Sequence, residues 1–213
     1  MRRYDRPLIA VAVCLAALAG FVDALGFLSL GGFFVSFMSG NTTHLGVAVG
    51  MGAAPAAQRA AMLILTFVLG VMGGTLIAYA VPQWRKPAVL ATVTLLLGIA
   101  SLCHGQQLDA AALFLTAAAM GAENGTFQRD GEVSIGLTYM TGTLVRFAQR
   151  AALALVGGER WAWLPHLMLW LGFLAGVMAG TRTYRLIGLD ALWVATSAAA
   201  ILTIAMGMIM RRR

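Results

Sequence analysis

Charge is what this chain has least of. Only 11% of its 213 residues are Asp, Glu, Lys or Arg, against roughly 25% in a soluble globular domain. Water is therefore not its main solvent. Cysteine is almost missing too. Cys14 and Cys103 lie far apart, within or at the edge of apolar runs, which excludes a disulfide framework and any cysteine-based metal spacing. The common enzymatic fingerprints are also lacking. His44, His104 and His166 form no H-E-x-x-H, no serine sits in a G-x-S-x-G elbow, and there is no Walker loop or dinucleotide glycine pattern. The expectation is a protein that is not an enzyme and holds no cofactor and no metal. An intramembrane hydrolase using Ser36 or Ser39 with a distant histidine ranks third among the readings.

What is there is apolar surface. Hydrophobic residues make up 60% of the chain, and uncharged stretches run Ala60–Trp84, Pro87–Leu108, Trp161–Thr181 and Ala191–Met210. Each is long enough, at about 1.5 Å per helical residue, to cross a hydrocarbon core of about 30 Å. The 25 glycines suit helices packed backbone to backbone, because lipid gives apolar side chains no reason to associate. The net charge of +7 does not point to nucleic acid. Arg2, Arg3, Arg6, Arg85, Lys86 and the terminal Arg211–Arg213 cluster at chain ends and between apolar runs, as topology signals do, and no basic face interleaved with aromatics exists. The start MRRYDRP, followed by an apolar run and Ala17-Leu18-Ala19, imitates a secretory leader. The apolar run continues through Leu30, so a retained first helix is expected.

The chain also contains itself twice. Phe67–Thr75 reads FVLGVMGGT and Phe173–Thr181 reads FLAGVMAGT; Phe37-Met-Ser-Gly40 is echoed by Tyr139-Met-Thr-Gly142, and Gly20-x-x-Asp23 by Gly121-x-x-Asn124. The offsets of about 106, 102 and 101 residues keep one order, which describes a duplicated membrane bundle. The expected architecture is all-α: one polytopic transmembrane domain over 1–213, built from repeat 1 (about 8–103) and repeat 2 (about 108–210). Eight helical segments are expected at roughly 8–29, 33–51, 58–81, 87–103, 108–125, 137–156, 162–182 and 190–210. Breaks fall at Gly31-Gly32, Pro55, Pro82–Pro87, His104–Gln107, Arg129–Gly131 and Gly157-Gly158. If segments 33–51 and 137–156 are re-entrant or partly inserted, six full spans leave only Arg59, Arg182 and Arg185 outside, against twelve basic residues inside. The positive-inside rule prefers this to eight full spans. Three crossings per half also make the halves inverted, and both chain ends are expected to be cytoplasmic.

Polar residues in so apolar a chain are the candidates for function. Ser36, Ser39, Asn41, Thr42, Thr43 and His44 fall within nine positions around Gly40. A helix opened there offers unpaired N–H groups to anions or free carbonyls to cations; alternatively the hydroxyls bond back to their own helix. Asp23 and Glu123 are intramembrane acids, which are normally paired, protonated or functional, and Arg146 is the natural counter-charge. Gly70-x-x-x-Gly74 and Gly176-x-x-x-Gly180 read as close helix contacts.

The stretch from Gly20 to Gly46, containing Gly20-Phe-Val-Asp23 and Phe37-Met-Ser-Gly-Asn-Thr-Thr-His44, resembles the signature of the YoaK family. Gly121-Ala-Glu-Asn124 and Thr138-Tyr-Met-Thr-Gly-Thr-Leu-Val-Arg146 are similar to that family's second half. The resemblance covers nearly the whole chain. It implies a multi-pass bacterial inner-membrane protein of a domain of unknown function, and it lends no catalytic residues. Where the family's second block suggests Gln-Asn, this chain has Glu123-Asn124.

The leading expectation is a small-solute transporter or permease-like protein with a polar site between the two repeats, lined by Asp23, Asn41, Thr42, Thr43, Glu123, Asn124 and Arg146. Its partners are then the lipid bilayer and a small solute or proton, with no nucleic acid and with a homo-oligomer left open. The alternative is a membrane scaffold or ligand-binding protein whose polar groups only hold helices together.

Overall fold

The structure, a computed structural model, describes residues 6–129, 132–133 and 135–211. Arg2, Arg3, Arg212, Arg213 and Gly131, used above for charge and loop assignments, lie outside the described residues. The protein is helical: α1 Arg6–Ser29, α2 Met38–Gly50, α3 Ala54–Ala80, α4 Arg85–Gly105, α5 Asp109–Glu123, α6 Met140–Leu155, α7 Leu164–Ile187 and α8 Ala191–Arg211. A 3-10 turn, Asn124–Phe127, extends α5. Gln128–Arg129 then pairs with Glu132–Val133, too short a ladder to make a sheet. Proline stands in the first turn of α3 and of α7, where its missing N–H costs nothing. Gly31, Gly32 and Gly188 take positive φ just beyond helix ends, a conformation that side chains resist.

Four helical stretches are long and apolar enough to cross a membrane: Pro7–Ser29, Ala54–Ala80, Arg85–Gly105 and Leu164–Arg211, the last comprising α7 and α8. α5 has 15 residues, about 22 Å, and its 3-10 extension adds about 8 Å more. α2 and α6, with 13 and 16 residues, reach only about 20 and 24 Å, short of a hydrocarbon core of about 30 Å. Burial separates the helices into two classes. α1 and α5 are enclosed by protein along most of their length, whereas α3, α4, α7 and α8 turn large apolar side chains such as Leu69, Leu76, Leu102, Met178, Ile201 and Ile204 outward. Outward-facing leucine and isoleucine are the expected coat of a bundle whose solvent is lipid.

Several segment boundaries differ from expectation. Residues 33–37 and 137–139 are not helical, so α2 and α6 start at Met38 and Met140. For α2 the reason is long-range: side chains of Asp23 and Asn41 take the backbone groups of Phe34, Val35 and Ser36 that a helix would have used. α7 runs through Ile187, so Arg182 and Arg185 sit within its last turns and not in a following loop.

Glycine sets the helix pairing. A methyl group on Gly172, Gly176 or Gly180 of α7 would run into the carbonyl oxygens of Val13, Ala17 and Phe21 of α1. These contacts rise together along both helices, so α1 and α7 are parallel. On the other side Gly70 and Gly74 of α3 meet the carbonyls of Ala118 and Ala122 of α5, again parallel. The first helix of each sequence half thus packs on the third helix of the other half, and the halves interlace. α4 and α8 run antiparallel, because Thr94 and Thr203 hydroxyls lie 3.0 Å apart and Ser101 and Thr196 hydroxyls 3.1 Å apart. In a Cys14→Ser, Cys103→Ser background, Thr94→Cys paired with Thr203→Cys should oxidise to a crosslink visible as a mobility shift. Thr94→Cys with Thr196→Cys should not. The reverse pattern would mean that α4 and α8 run parallel.

Candidate functional site

The non-helical segments before α2 and α6 are largely buried and meet at one cavity. Ser36–Ser39 and Thr138–Gly142, with Phe67 of α3 between them, line one cavity of about 250 Å³. Most of both walls comes from the echoed tetrapeptides: Phe37-Met-Ser39 of the first and Tyr139-Met-Thr-Gly142 of the second.

Each wall is held by polar residues behind it. Asp23, 4% exposed in α1, accepts N–H bonds from Val35 at 2.9 Å and Ser36 at 2.8 Å through one carboxylate oxygen. Asn41, fully buried at the start of α2, clamps Phe34 at both ends: its Oδ1 accepts from the Phe34 N–H at 3.0 Å, and its Nδ2 donates to the Phe34 carbonyl at 2.6 Å. On the second wall Asn124 Nδ2 donates to the Thr138 hydroxyl at 3.2 Å and to the Met120 carbonyl at 3.0 Å. Asp23 and Asn124 occupy echoed positions and brace echoed segments with different chemistry, a carboxylate on backbone N–H groups in one case and an amide on a hydroxyl in the other.

The expected site residues therefore divide. Asp23, Asn41 and Asn124 stand behind the cavity walls and do not face into it. Asp23 instead borders a second, lateral cavity of about 380 Å³ with Phe34, Phe173 and Thr181. Thr42 and Thr43 are exposed on α2, and their hydroxyls bond back to the carbonyls of Met38 and Ser39, so here the helix-internal reading holds. Arg146 is exposed on α6, which packs against α7. It makes no ion pair with either acid among the described residues, so it is not their counter-charge. Glu123 is completely buried, and neither carboxylate oxygen has a hydrogen-bond partner. The Thr126 hydroxyl, three residues on, is likewise buried and unpartnered.

Ser36 stands among the polar candidates around Gly40 but outside the expected site lining, and Thr138 and Phe67 are not among the expected site residues at all. A signal for two of them existed: Ser36 and Thr138 are hydroxyl residues standing directly before the echoed tetrapeptides. Among the described residues no group of three or more His, Cys, Asp or Glu side chains could hold a metal ion.

Helices turned outward to lipid around an enclosed pair, with a cavity at the meeting point of two short helices, define a multi-pass helical membrane protein. The chain belongs to the DUF1275 family, whose description is "protein of unknown function"; the match spans residues 11–205. It is 37% identical over 212 residues to a UPF0700 transmembrane protein of Rhizobium meliloti (strain 1021), covering 99% of this chain and 91% of that protein. No solved structure matches it. The resemblance read from Gly20–Gly46 and Gly121–Arg146 agrees with this membership.

Proposed function

We propose that the protein is a small-solute transporter or permease-like protein of a bacterial inner membrane, not an enzyme, working as one domain of two inverted repeats. The observation that carries the reading is the convergence of two echoed, glycine-marked helix starts on one cavity. Discontinuous helices meeting between repeats are where secondary transporters bind their cargo. The antiparallel course of α4 and α8 supports three crossings per half, since four crossings would make them parallel. Charge supports cytoplasmic ends. Arg59, which donates to the Leu30 carbonyl, shares one face with His104, Asp109 and Asp190, which lie close to one another. The opposite face carries Arg85, Lys86 and Arg211, the last over the Trp84 ring, as a cytoplasmic side would.

The interlaced packing changes the moving parts. Helices α1 and α7 lock backbone to backbone, as do α3 and α5, so the units that rock are these mixed pairs and not the two sequence halves. α2 is braced to α1 at its start but packs on α3; α6 is braced to α5 at its start but packs on α7. Each short helix thus bridges the two units beside the cavity. Glu123, with no partner to hold its charge, is the group suited to carrying a coupling proton.

In proteoliposomes, uptake across a metabolite panel should be detectable for the wild type and accompanied by proton movement. Glu123→Gln should keep the melting temperature, having no hydrogen bond to lose, while abolishing the proton component. Proton flux unchanged in folded Glu123→Gln would end the coupling role. Flux absent for every solute would favour the scaffold reading, which the bracing by Asp23, Asn41 and Asn124 already supports.

A further inference from the structure

We infer that the C-terminal half of α7 docks an anionic phospholipid. Its phosphate sits between Arg182 and Arg185, and its acyl chain lies in the groove between α7 and α8. This site stands apart from the solute cavity and does not rest on the transport reading.

The groove is a gap in the helix packing. α7 and α8 touch each other little, whereas both pack on α1. α1 therefore floors a cavity of about 420 Å³, with Ala175 and Ala179 of α7 on one side and Ala198 and Ile201 of α8 on the other. Here the otherwise enclosed α1 is open, and Cys14 is exposed on the floor. Small residues in a bilayer ordinarily let two backbones approach, yet Ala175 and Ala179 stay exposed beside the gap. From Cys14 to Phe21 the floor runs about 10 Å, most of one leaflet's half of a hydrocarbon core of about 30 Å. No charged side chain lines the groove, so its occupant there is hydrocarbon.

Charge identifies the other end of the ligand. Ala179 also borders a second concavity of α7, lined by Met178, Arg182 and Arg185. Both arginines are exposed and make no ion pair or hydrogen bond among the described residues. Helical side chains lean back over the preceding turn, so Arg182 reaches toward Ala179 and the mouth of the groove. In the topology proposed above these two share the non-cytoplasmic face with Arg59, which is engaged with the Leu30 carbonyl and the Phe33 ring. Unpaired positive charge on that face runs against the usual distribution, and a bound anion offsets it. Guanidinium groups take phosphate through paired N–H donors. No Asp or Glu lines either cavity, so nothing there receives the ammonium of a zwitterionic headgroup. Asp23 borders the lateral cavity on the other flank of α7 and is committed to the Val35 and Ser36 N–H groups. A second copy of the chain fits less well, because Asp109 and Asp190 on the same face are engaged with His104.

The test is native mass spectrometry of the full-length protein from detergent, titrated with phosphatidylglycerol and with phosphatidylethanolamine of the same chains. The wild type is expected to hold phosphatidylglycerol about tenfold more tightly or better, as two arginines near a headgroup allow. Arg182→Gln with Arg185→Gln should bring the two lipids level. Ala198→Phe, which fills the groove, should weaken phosphatidylglycerol with both arginines in place. Neither variant removes a side-chain hydrogen bond, so the melting temperature without lipid should hold. Cys14 reads the groove without a bulky substitution. In a Cys103→Ser background, phosphatidylglycerol should slow maleimide labelling of Cys14, and glycerol phosphate, the headgroup without chains, should not. Equal retention of the two lipids by the wild type, or a preference that survives the double arginine substitution, would overturn the assignment. So would Cys14 labelling unchanged by phosphatidylglycerol. A dimer present without lipid and broken by Ala198→Phe would give the groove to a second copy and overturn it too. None of these outcomes touches the transport reading, which solute flux in proteoliposomes decides.

Discussion

Gly176→Ala is expected to destabilise the protein by about 3 kcal/mol, the upper part of the range for overpacking a tight contact. The added methyl would fall on the carbonyl oxygen of Ala17, and a backbone atom inside a helix cannot step aside, so α1 and α7 must separate. Gly70→Ala, against the carbonyl of Ala118, should behave alike on the α3–α5 seam. The informative comparison is Gly73→Ala or Gly207→Ala, where a Cβ meets nothing within 4 Å. There the better helix propensity of alanine should leave stability unchanged or raise it by up to about 1 kcal/mol. Unfolding in detergent, followed by helical circular dichroism, measures all four. Equal effects at buried and lipid-facing glycines would mean that the helices do not touch as described.

Asp23→Ala carries the second large effect. It removes the acceptor of two buried N–H bonds, from Val35 and Ser36, and leaves both donors unmatched. Bonds to a charged acceptor contribute about 1.5–3 kcal/mol each, so a loss of about 3 kcal/mol or more is expected. Asp23→Asn keeps an oxygen in the same place and should lose clearly less. Asn41→Ala loosens the same segment through Phe34, so the double substitution Asp23→Ala with Asn41→Ala should cost less than the sum of the singles. If Asp23→Ala were as stable as the wild type in thermal unfolding, Asp23 would not be the brace of the segment before α2. The same series separates bracing from proton carriage: a brace shows itself in melting temperature, a proton carrier in flux at unchanged melting temperature.

The helices themselves were legible because an uncharged run of about 20 residues has few alternatives in lipid. The close-contact role of Gly70, Gly74, Gly176 and Gly180 was legible too, since small residues one turn apart have a direct packing meaning. What sequence spacing could not carry was which helix each stripe would meet. The echo of Phe67–Thr75 in Phe173–Thr181 marks like segments, and like segments do not name their partners. Sequence spacing puts the starts of α2 and α6 three to five residues too early; for α2, local apolarity through Phe33–Phe37 favours helix, while Asp23, 12 and 13 positions upstream of the N–H groups it takes, decides otherwise. A basic residue in a segment expected near two intramembrane acids reads as their counter-charge, but a helix packed on one neighbour can turn its arginine outward, and α6 does so with Arg146.

The interlacing of the two halves bears on how the chain is made. Its first helix leaves the ribosome more than a hundred residues before α7, whose glycine stripe fits against it, and α3 waits likewise for α5. Until then the carbonyl-lined faces of α1 and α3 meet only lipid or provisional neighbours in the insertion machinery. Assembly can finish only when the last quarter of the polypeptide is in the bilayer, so a truncated product is left with an incomplete fold that quality-control proteases can recognise, and neither half has a complete bundle of its own to fall back on.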